Sequence, residues 1–345
     1  MPAETRRQER TWMAWPASAY TLGSTPEEAE TAREAWAAVA NAIVAFQPVT
    51  ILVIEREREH ARRLLDPRVE QREARLDDSW MRDIGPTFVL SDEKQPRLGA
   101  VDWVFNGWGA QEWASWEADA QVARTVAQLV DAEVIGSELV AEGGGLHTDG
   151  QGTFLVTETV MQDPDRNLGW ARDRVEARLA RAVGARKVIW LPRGLTADYG
   201  QFGARGHVDL LATFTEPGRV LVHHQRNDEH PDHEVSRRAI DVLRQATDAE
   251  CRPLEVRRLP APRTLRDECG WSDYSYVNHV VCNGAVIVGT FDDPADEEAA
   301  EVLAEVYPGR EIVPVDARRL FAAGGGAHCI TQQQPVLTAG TGERT

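Results

Sequence analysis

The chain has 345 residues, 42% hydrophobic and 27% charged, with 38 basic against 55 acidic side chains and a formal net charge of −17. That length supports one large domain or two ordinary ones, each with its own core. The acid excess disfavours nucleic acid and anionic membrane as partners, because both need basic surface, and it suits a cationic small molecule drawn in by long-range steering.

The opening "MPAETRR" runs into "ERTWMAWP" (9–16) without an apolar h-region, so no secretory signal is read. No later run approaches the ~20 apolar residues of a membrane span. The first helix is signalled by Thr25 as N-cap, Pro26 at the first helical position and Glu28 completing a capping box, followed by Ala32, Trp36, Val39 and Ile43 at helical spacing. "VTILVI" (49–54) follows as a buried strand. The same helix-then-strand order recurs. Helical patterns near 112–131, 171–183, 232–248 and 295–306 precede "AEVIGS" (132–137), "KVIWLP" (187–192), "LEVRRLP" (254–260) and "EIVPVD" (311–316). Further strand-like runs, "TFLVT" (153–157), "VLVHH" (220–224) and "GAVIVGTF" (284–291), stand ahead of helices. The pattern predicts five strand-strand-helix-strand modules in one domain over 1–337, with a short C-terminal tail over 338–345. Strand pairs between the helices fit a doubly wound sheet poorly. Four cysteines at irregular spacing (251, 269, 282, 329) form no disulfide framework and point to a reduced, cytoplasmic protein.

Four stretches dense in polar and glycine residues carry the candidate chemistry: "DDSWMRDIGP" (77–86), "AEGGGLHTDGQG" (141–152), "RGHVDLL" (205–211) and "GGGAHCITQQQP" (324–335). Each lies beside a strand candidate in a different module, as a site built where modules meet requires. Cys329 follows three glycines that permit close backbone approach, and a thiolate nucleophile needs a histidine partner. His207 and Asp209, read as an extended segment, would point the same way; His328 would face the opposite side from Cys329 and is set aside as the partner. Asp83, Asp209 and Glu142 lie beside glycine or proline turns. Two carboxylates on one ligand repel unless the ligand is a cation with paired N–H donors, and guanidinium is such a ligand. A guanidinium held between carboxylates while a thiolate attacks its central carbon gives a route to breaking a C–N bond.

These stretches, in this order, resemble the agmatine deiminase family of the guanidino-group-modifying (pentein) superfamily. The resemblance runs from "ERTWMAWP" to "HCITQQQP" and takes in "VDWVFNGWGA" (101–110), "VIWLPRGL" (188–195) and "YSYVNHVVCNGAVIV" (274–288). It implies an α/β fold, a five-bladed propeller of ββαβ modules with pseudo-fivefold symmetry. It implies Cys329 as nucleophile, and His207 as the acid for departing ammonia and then the base for water. Asp83 and Asp209 would grip the guanidinium, Glu142 would hold and polarise His207, and Trp80 would line the guanidinium channel beside Gly325. The implied product from agmatine is N-carbamoylputrescine, formed through a covalent amidino-thioether without metal or cofactor, and a homodimer is expected from the family alone.

Two departures stand out. Gly326 and Ala327 replace a family asparagine ahead of the His-Cys pair, which removes a side-chain amide. The acid that the family carries just before "GHVD", for the distal ammonium of agmatine, is missing from "DYGQFGARGH", so Asp198 is expected to read that cation. The rival readings are a deiminase of arginine, peptidyl arginine or another guanidino metabolite, an amidinotransferase, and a non-catalytic polyamine binder. The histidine-rich "HHQRNDEHPDH" (223–233) matches no usual metal-ligand spacing. Most of the 11 tryptophans are read as core, with Trp80 the exception.

Overall fold

The computed structural model describes residues 1–17, 19–267 and 270–337; Cys269 and the 338–345 tail lie outside the described residues. Four three-stranded sheets follow one plan. Thr87–Leu90, Leu98–Val104 and Glu133–Val140 form one; Leu146–Thr148, Thr153–Thr157 and Lys187–Leu191 the next. Ala212–Glu216, Arg219–His224 and Glu255–Pro260 form the third, and Val280–Cys282, Ala285–Thr290 and Glu311–Asp316 the fourth. In each, the first two strands are an antiparallel hairpin and the last joins parallel after a helix. A fifth sheet uses both ends of the described chain. Gln8–Ala14 pairs antiparallel with Thr331–Pro335 and parallel with Val49–Val53, which Glu70–Glu73 extends.

The crossover helices are Pro26–Val44, Val122–Leu129, Arg172–Val183, Asp232–Gln245 and Asp296–Val306. The first starts as its sequence dictates. The Thr25 hydroxyl accepts the Glu28 N–H, the Glu28 carboxylate returns to the Thr25 N–H, and Trp36, Val39, Ala40 and Ile43 face the core. Such a cap stabilises a helix by about 1 kcal/mol.

The pattern over 112–131 is corrected. Its helix begins at Val122, and the residues before it bend into a 3-10 turn at Asp119–Gln121. The Asp77 carboxylate accepts the Ala118 N–H at 2.6 Å and Asp119 accepts the Asp77 N–H at 2.8 Å, so this segment is tied to the loop that carries Asp83. A large apolar core runs through most of the sheets, with a smaller cluster around Phe154, Val156, Val175 and Leu179. No helix among the described residues is long and apolar enough to cross a membrane.

Candidate active site

The loops that lead into one edge strand of each of these five sheets converge on one place. Asp83 precedes Thr87–Leu90, Glu142 precedes Leu146–Thr148, His207 and Asp209 precede Ala212–Glu216, Asn278 precedes Val280–Cys282, and Cys329 precedes Thr331–Pro335. A small cavity there is lined by Cys329, His207, Asp83, Trp80, Trp108 and Asp198, among others. Its volume is about 10 Å³, room for roughly one water. Tyr20 stacks on Phe202 at 4.9 Å and Trp113 on Trp108 at 5.4 Å, which makes an aromatic cover beside the cavity.

Cys329 lies in a turn, 5% exposed, and the Arg82 N–H donates to its carbonyl at 3.0 Å, joining the thiol loop to the Asp83 loop. A Cβ on Gly325 would stand 2.9 Å from the Cys329 sulfur and 3.0 Å from the Trp80 ring, so only glycine lets the thiol pack there. The sulfur is 3.5 Å from Asp209 Oδ2 and 3.2 Å from Asn278 Nδ2. Asn278 therefore supplies an amide to the thiol, although the asparagine expected ahead of His328 is missing. A Cβ on Gly326 would meet Asn278 Oδ1 at 2.4 Å, so the glycine in that place makes room for it. Burial, with Asp209 and Asp83 facing the sulfur, pushes the Cys329 thiol well above its ordinary pKa.

Asp83 sits in the short helix Met81–Ile84 and accepts the Trp108 indole N–H at 2.9 Å and the Gly144 N–H at 3.1 Å. Burial, aided by the charges of Asp209 and Glu142 and opposed by His207, lifts its pKa to about 6. Trp108, a member of the buried core cluster, is thus also a site residue, a role its neighbours in sequence did not signal. Trp80 lines the cavity and donates its indole N–H to the Tyr20 hydroxyl at 2.7 Å, which in turn hydrogen-bonds Asp78.

The extended reading of His207–Asp209 is corrected. Val208–Leu210 is a 3-10 turn, so the two side chains diverge around the cavity. His207 Nε2 stands 3.5 Å from Glu142 Oε2 and Nδ1 stands 3.8 Å from Asp83 Oδ1. Burial acts to lower its pKa, but Asp83, Glu142 and Asp209 outweigh that and raise it to about 9. Glu142 is itself fully buried. Burial acts to raise its pKa, and Arg166, whose Nε lies 2.9 Å from Oε1, holds it below the usual value. Arg166 also bonds Asp163 and the Ala204 carbonyl just ahead of His207. No motif pointed to Arg166.

Asp209 turns the other way. Its Oδ2 accepts from His328 Nδ1 at 2.8 Å, while its Oδ1 is buried and has no hydrogen-bond partner among the described residues. His328 does not bond the thiol, but it reaches Asp209 from a turn, whereas a strand would have aimed it away. Asp198, expected to read the distal ammonium, is engaged by the backbone of its own loop. Asp198 is 1% exposed, and it accepts the backbone N–H groups of Ala204, Gly206 and His207 at 2.7, 2.6 and 2.9 Å. It lines the cavity while shaping the loop that delivers His207.

Residues 1–335 match the Porphyromonas-type peptidyl-arginine deiminase family. The chain belongs to that family. It is 53% identical over 336 residues to a relative in Streptomyces coelicolor, covering 97% of this chain and 98% of that one. It is 37% identical to the agmatine deiminase of Pseudomonas putida, covering 97% and 95%. Its mixed α/β fold superposes on the agmatine deiminase of Enterococcus faecalis with a TM-score of 0.91, at 31% identity and with 98% and 96% of the two chains covered. A dimethylarginine dimethylaminohydrolase shares the fold more distantly, with a TM-score of 0.52 at 14% identity. Among the described residues, no group of three or more histidines, cysteines, aspartates or glutamates is placed to hold a metal ion.

Proposed function

We propose that this family member is an agmatine deiminase, a hydrolase that breaks a guanidino C–N bond with Cys329 as nucleophile. The observation that carries the reading is the buried, unpartnered Oδ1 of Asp209, whose Oδ2 stands 3.5 Å from the Cys329 sulfur, next to the cavity that Cys329 lines with the Asp83 carboxylate and the His207 imidazole. An unpartnered buried carboxylate oxygen is costly unless a ligand brings the donor, and a planar guanidinium brings several.

In the free enzyme Asp83 and Asp209 keep the proton on Cys329. A guanidinium between them offsets those charges, so the substrate itself lowers the thiol's pKa and the S–H proton is released to solvent as the substrate binds; the sulfur takes a proton back when it leaves the product. The thiolate attacks the central carbon. His207, an imidazolium at neutral pH, gives its proton to the departing nitrogen, and ammonia leaves an amidino group on sulfur. Neutral His207 then takes a proton from water; hydroxide adds to the amidino carbon, the C–S bond breaks, and the ureido product is released. Glu142, fixed by Arg166, holds His207 for both steps. The convergent loops and the five sheets support a single catalytic domain over 1–337, with the sheets as blades of a propeller of pseudo-fivefold symmetry.

The far end of agmatine has a place to lie. Phe202 and Gly324 border both the inner cavity and an outer one of about 470 Å³, whose wall includes Tyr199, Trp271 and Asp273. Burial and the nearby charge of Asp198 raise the Asp273 pKa to about 8, so this carboxyl gains by meeting a cation. Asp273 thus takes the distal ammonium, and Asp198 adds its charge from beneath the loop. Incubation with a panel of guanidino compounds, reading ammonia and ureido product, tests the assignment. Turnover of arginine or a peptidyl arginine in preference to agmatine would replace it.

A further inference from the structure

Four ionisable groups beneath the site remain outside the chemistry just described: Glu4, Arg82, His147 and His328. Glu4 precedes the first strand yet is only 7% exposed. Its segment is pinned: the Gln8 side-chain amide donates to the Glu4 carbonyl at 2.8 Å and to the Val281 carbonyl at 2.7 Å. Glu4 Oε1 stands 2.9 Å from His328 Nε2, 3.3 Å from Arg82 Nη1 and 3.7 Å from His147 Nε2. The other nitrogen of His328 stands 2.8 Å from Asp209 Oδ2. Neutral imidazole has one N–H, so a histidine bonded at both nitrogens by carboxylates must carry two. His147 is already engaged by Thr213 and the Phe214 N–H.

We propose that Glu4 and His328 are positioning residues for this reaction, with His328 clamped between Glu4 and Asp209 so that Asp209 Oδ1 faces the guanidinium. The inference rests on the reading of Asp209 as a guanidinium ligand. Four charges balance in this arrangement: Glu4 and Asp209 against His328 and Arg82. Burial acts to lower the pKa of His328, as does Arg82, but Glu4 and Asp209 raise it overall. Asp209 in turn is pulled below its ordinary value against burial, by His328 first and then by His207 and Arg82. Without Glu4 the imidazolium stands beside Arg82 with one carboxylate in place of two. It then gives up its proton more readily, and Asp209 loses the cation behind it.

Two readouts on Glu4→Gln test this, and the first does not need turnover. Nitrogen-detected NMR of the His328 ring should show two N–H groups through neutral pH in the wild type, and a midpoint lower by roughly one pH unit or more in the variant. The second is the pH profile of kcat/KM for agmatine. The variant should lose about tenfold or more near pH 6, since Asp209 without the cation behind it takes up a proton more readily, and recover to within about threefold of wild type near pH 8. If Glu4→Gln does not fold, His328→Gln carries the same test of the profile. A loss equal at every pH, or an unshifted His328 midpoint, would overturn the proposal. A wild type that turns over no guanidine while His328 still shifts would instead sink the reading of the site.

Discussion

Asp83 and Asp209 are the same residue type facing the same thiol, 5% and 2% exposed, and the protein treats them in opposite ways. Asp83 accepts from two neutral donors, the Trp108 indole and the Gly144 amide, and although His207 stands 3.8 Å away and opposes the shift, burial carries its pKa up to about 6. Behind Asp209 stands His328, itself backed by Glu4, and its pKa is lowered although burial acts to raise it. Glu142 follows the Asp209 pattern with a permanent cation, Arg166. The lesson is that burial alone does not fix the charge of a site; the group one layer further out does. Asp209 is a standing anchor. Asp83 is an anchor whose charge is completed by the occupant.

The most severe change removes what both carboxylates serve. Cys329→Ala should lower turnover by at least about 10⁴-fold while the melting temperature holds, as deletion of a nucleophile does elsewhere. Wild-type protein quenched during turnover should carry an amidino adduct on Cys329 by mass spectrometry. Activity that survives in the alanine variant would end the covalent mechanism.

Next comes the comparison itself. A charge-assisted hydrogen bond contributes roughly 1.5–3 kcal/mol, so either carboxylate-to-amide change should cost roughly 10- to 150-fold in kcat/KM. Asp209→Asn should cost more than Asp83→Asn, and the gap should be widest near pH 6, where Asp83 is already half protonated in the free enzyme. The exposed Glu297→Gln serves as the control and should change nothing measurable. Equal losses at pH 6 and pH 8 would erase the distinction between the two aspartates.

Much of this frame was readable in the sequence because it rests on local rules. The capping box at Thr25 and Glu28, the β-branched run at 49–53 and the alternation of helix with strand are set by neighbours in the chain. The glycine-flanked Cys329, His207, Asp83 and Glu142 stood out for the same reason. What was hidden depends on groups far apart in sequence. Glu4 meets His328 across 324 residues, and Asn278 meets Cys329 across 51. Neither spacing follows a helical or strand period, so no pattern predicts it. The misjudged orientations of Asp209 and His328 came from assigning strand periodicity to segments that are turns.

The pH profile sharpens the contrast further. Asp83 must be ionised, so kcat/KM should rise with pH through about 6; His207 must be protonated, so it should fall as pH passes about 9. The groups facing His207 are Asp83, Glu142 and Asp209, all of which raise its pKa. Asp83→Asn should therefore abolish the acid limb near 6 and also move the alkaline limb down, each limb changing about tenfold per pH unit. An acid limb that stays in place would assign it to another group.

The smallest effect concerns the tail of the substrate, where Asp198 and Asp273 form a second contrasting pair. Asp198 is committed to three backbone N–H groups, and Asp273 faces the outer cavity with a pKa raised to about 8. Asp273→Asn should raise the KM for agmatine by about threefold to tenfold and hardly alter it for a neutral-tailed alkylguanidine, since only the former presents a distal ammonium. Asp198→Asn turns an amide N–H₂ toward donors it formerly accepted, so it should loosen the loop that carries His207 and weaken both substrates alike. The opposite pattern, with Asp198→Asn selective for agmatine and Asp273→Asn indifferent, would place the ammonium over Asp198, as the sequence first led us to expect.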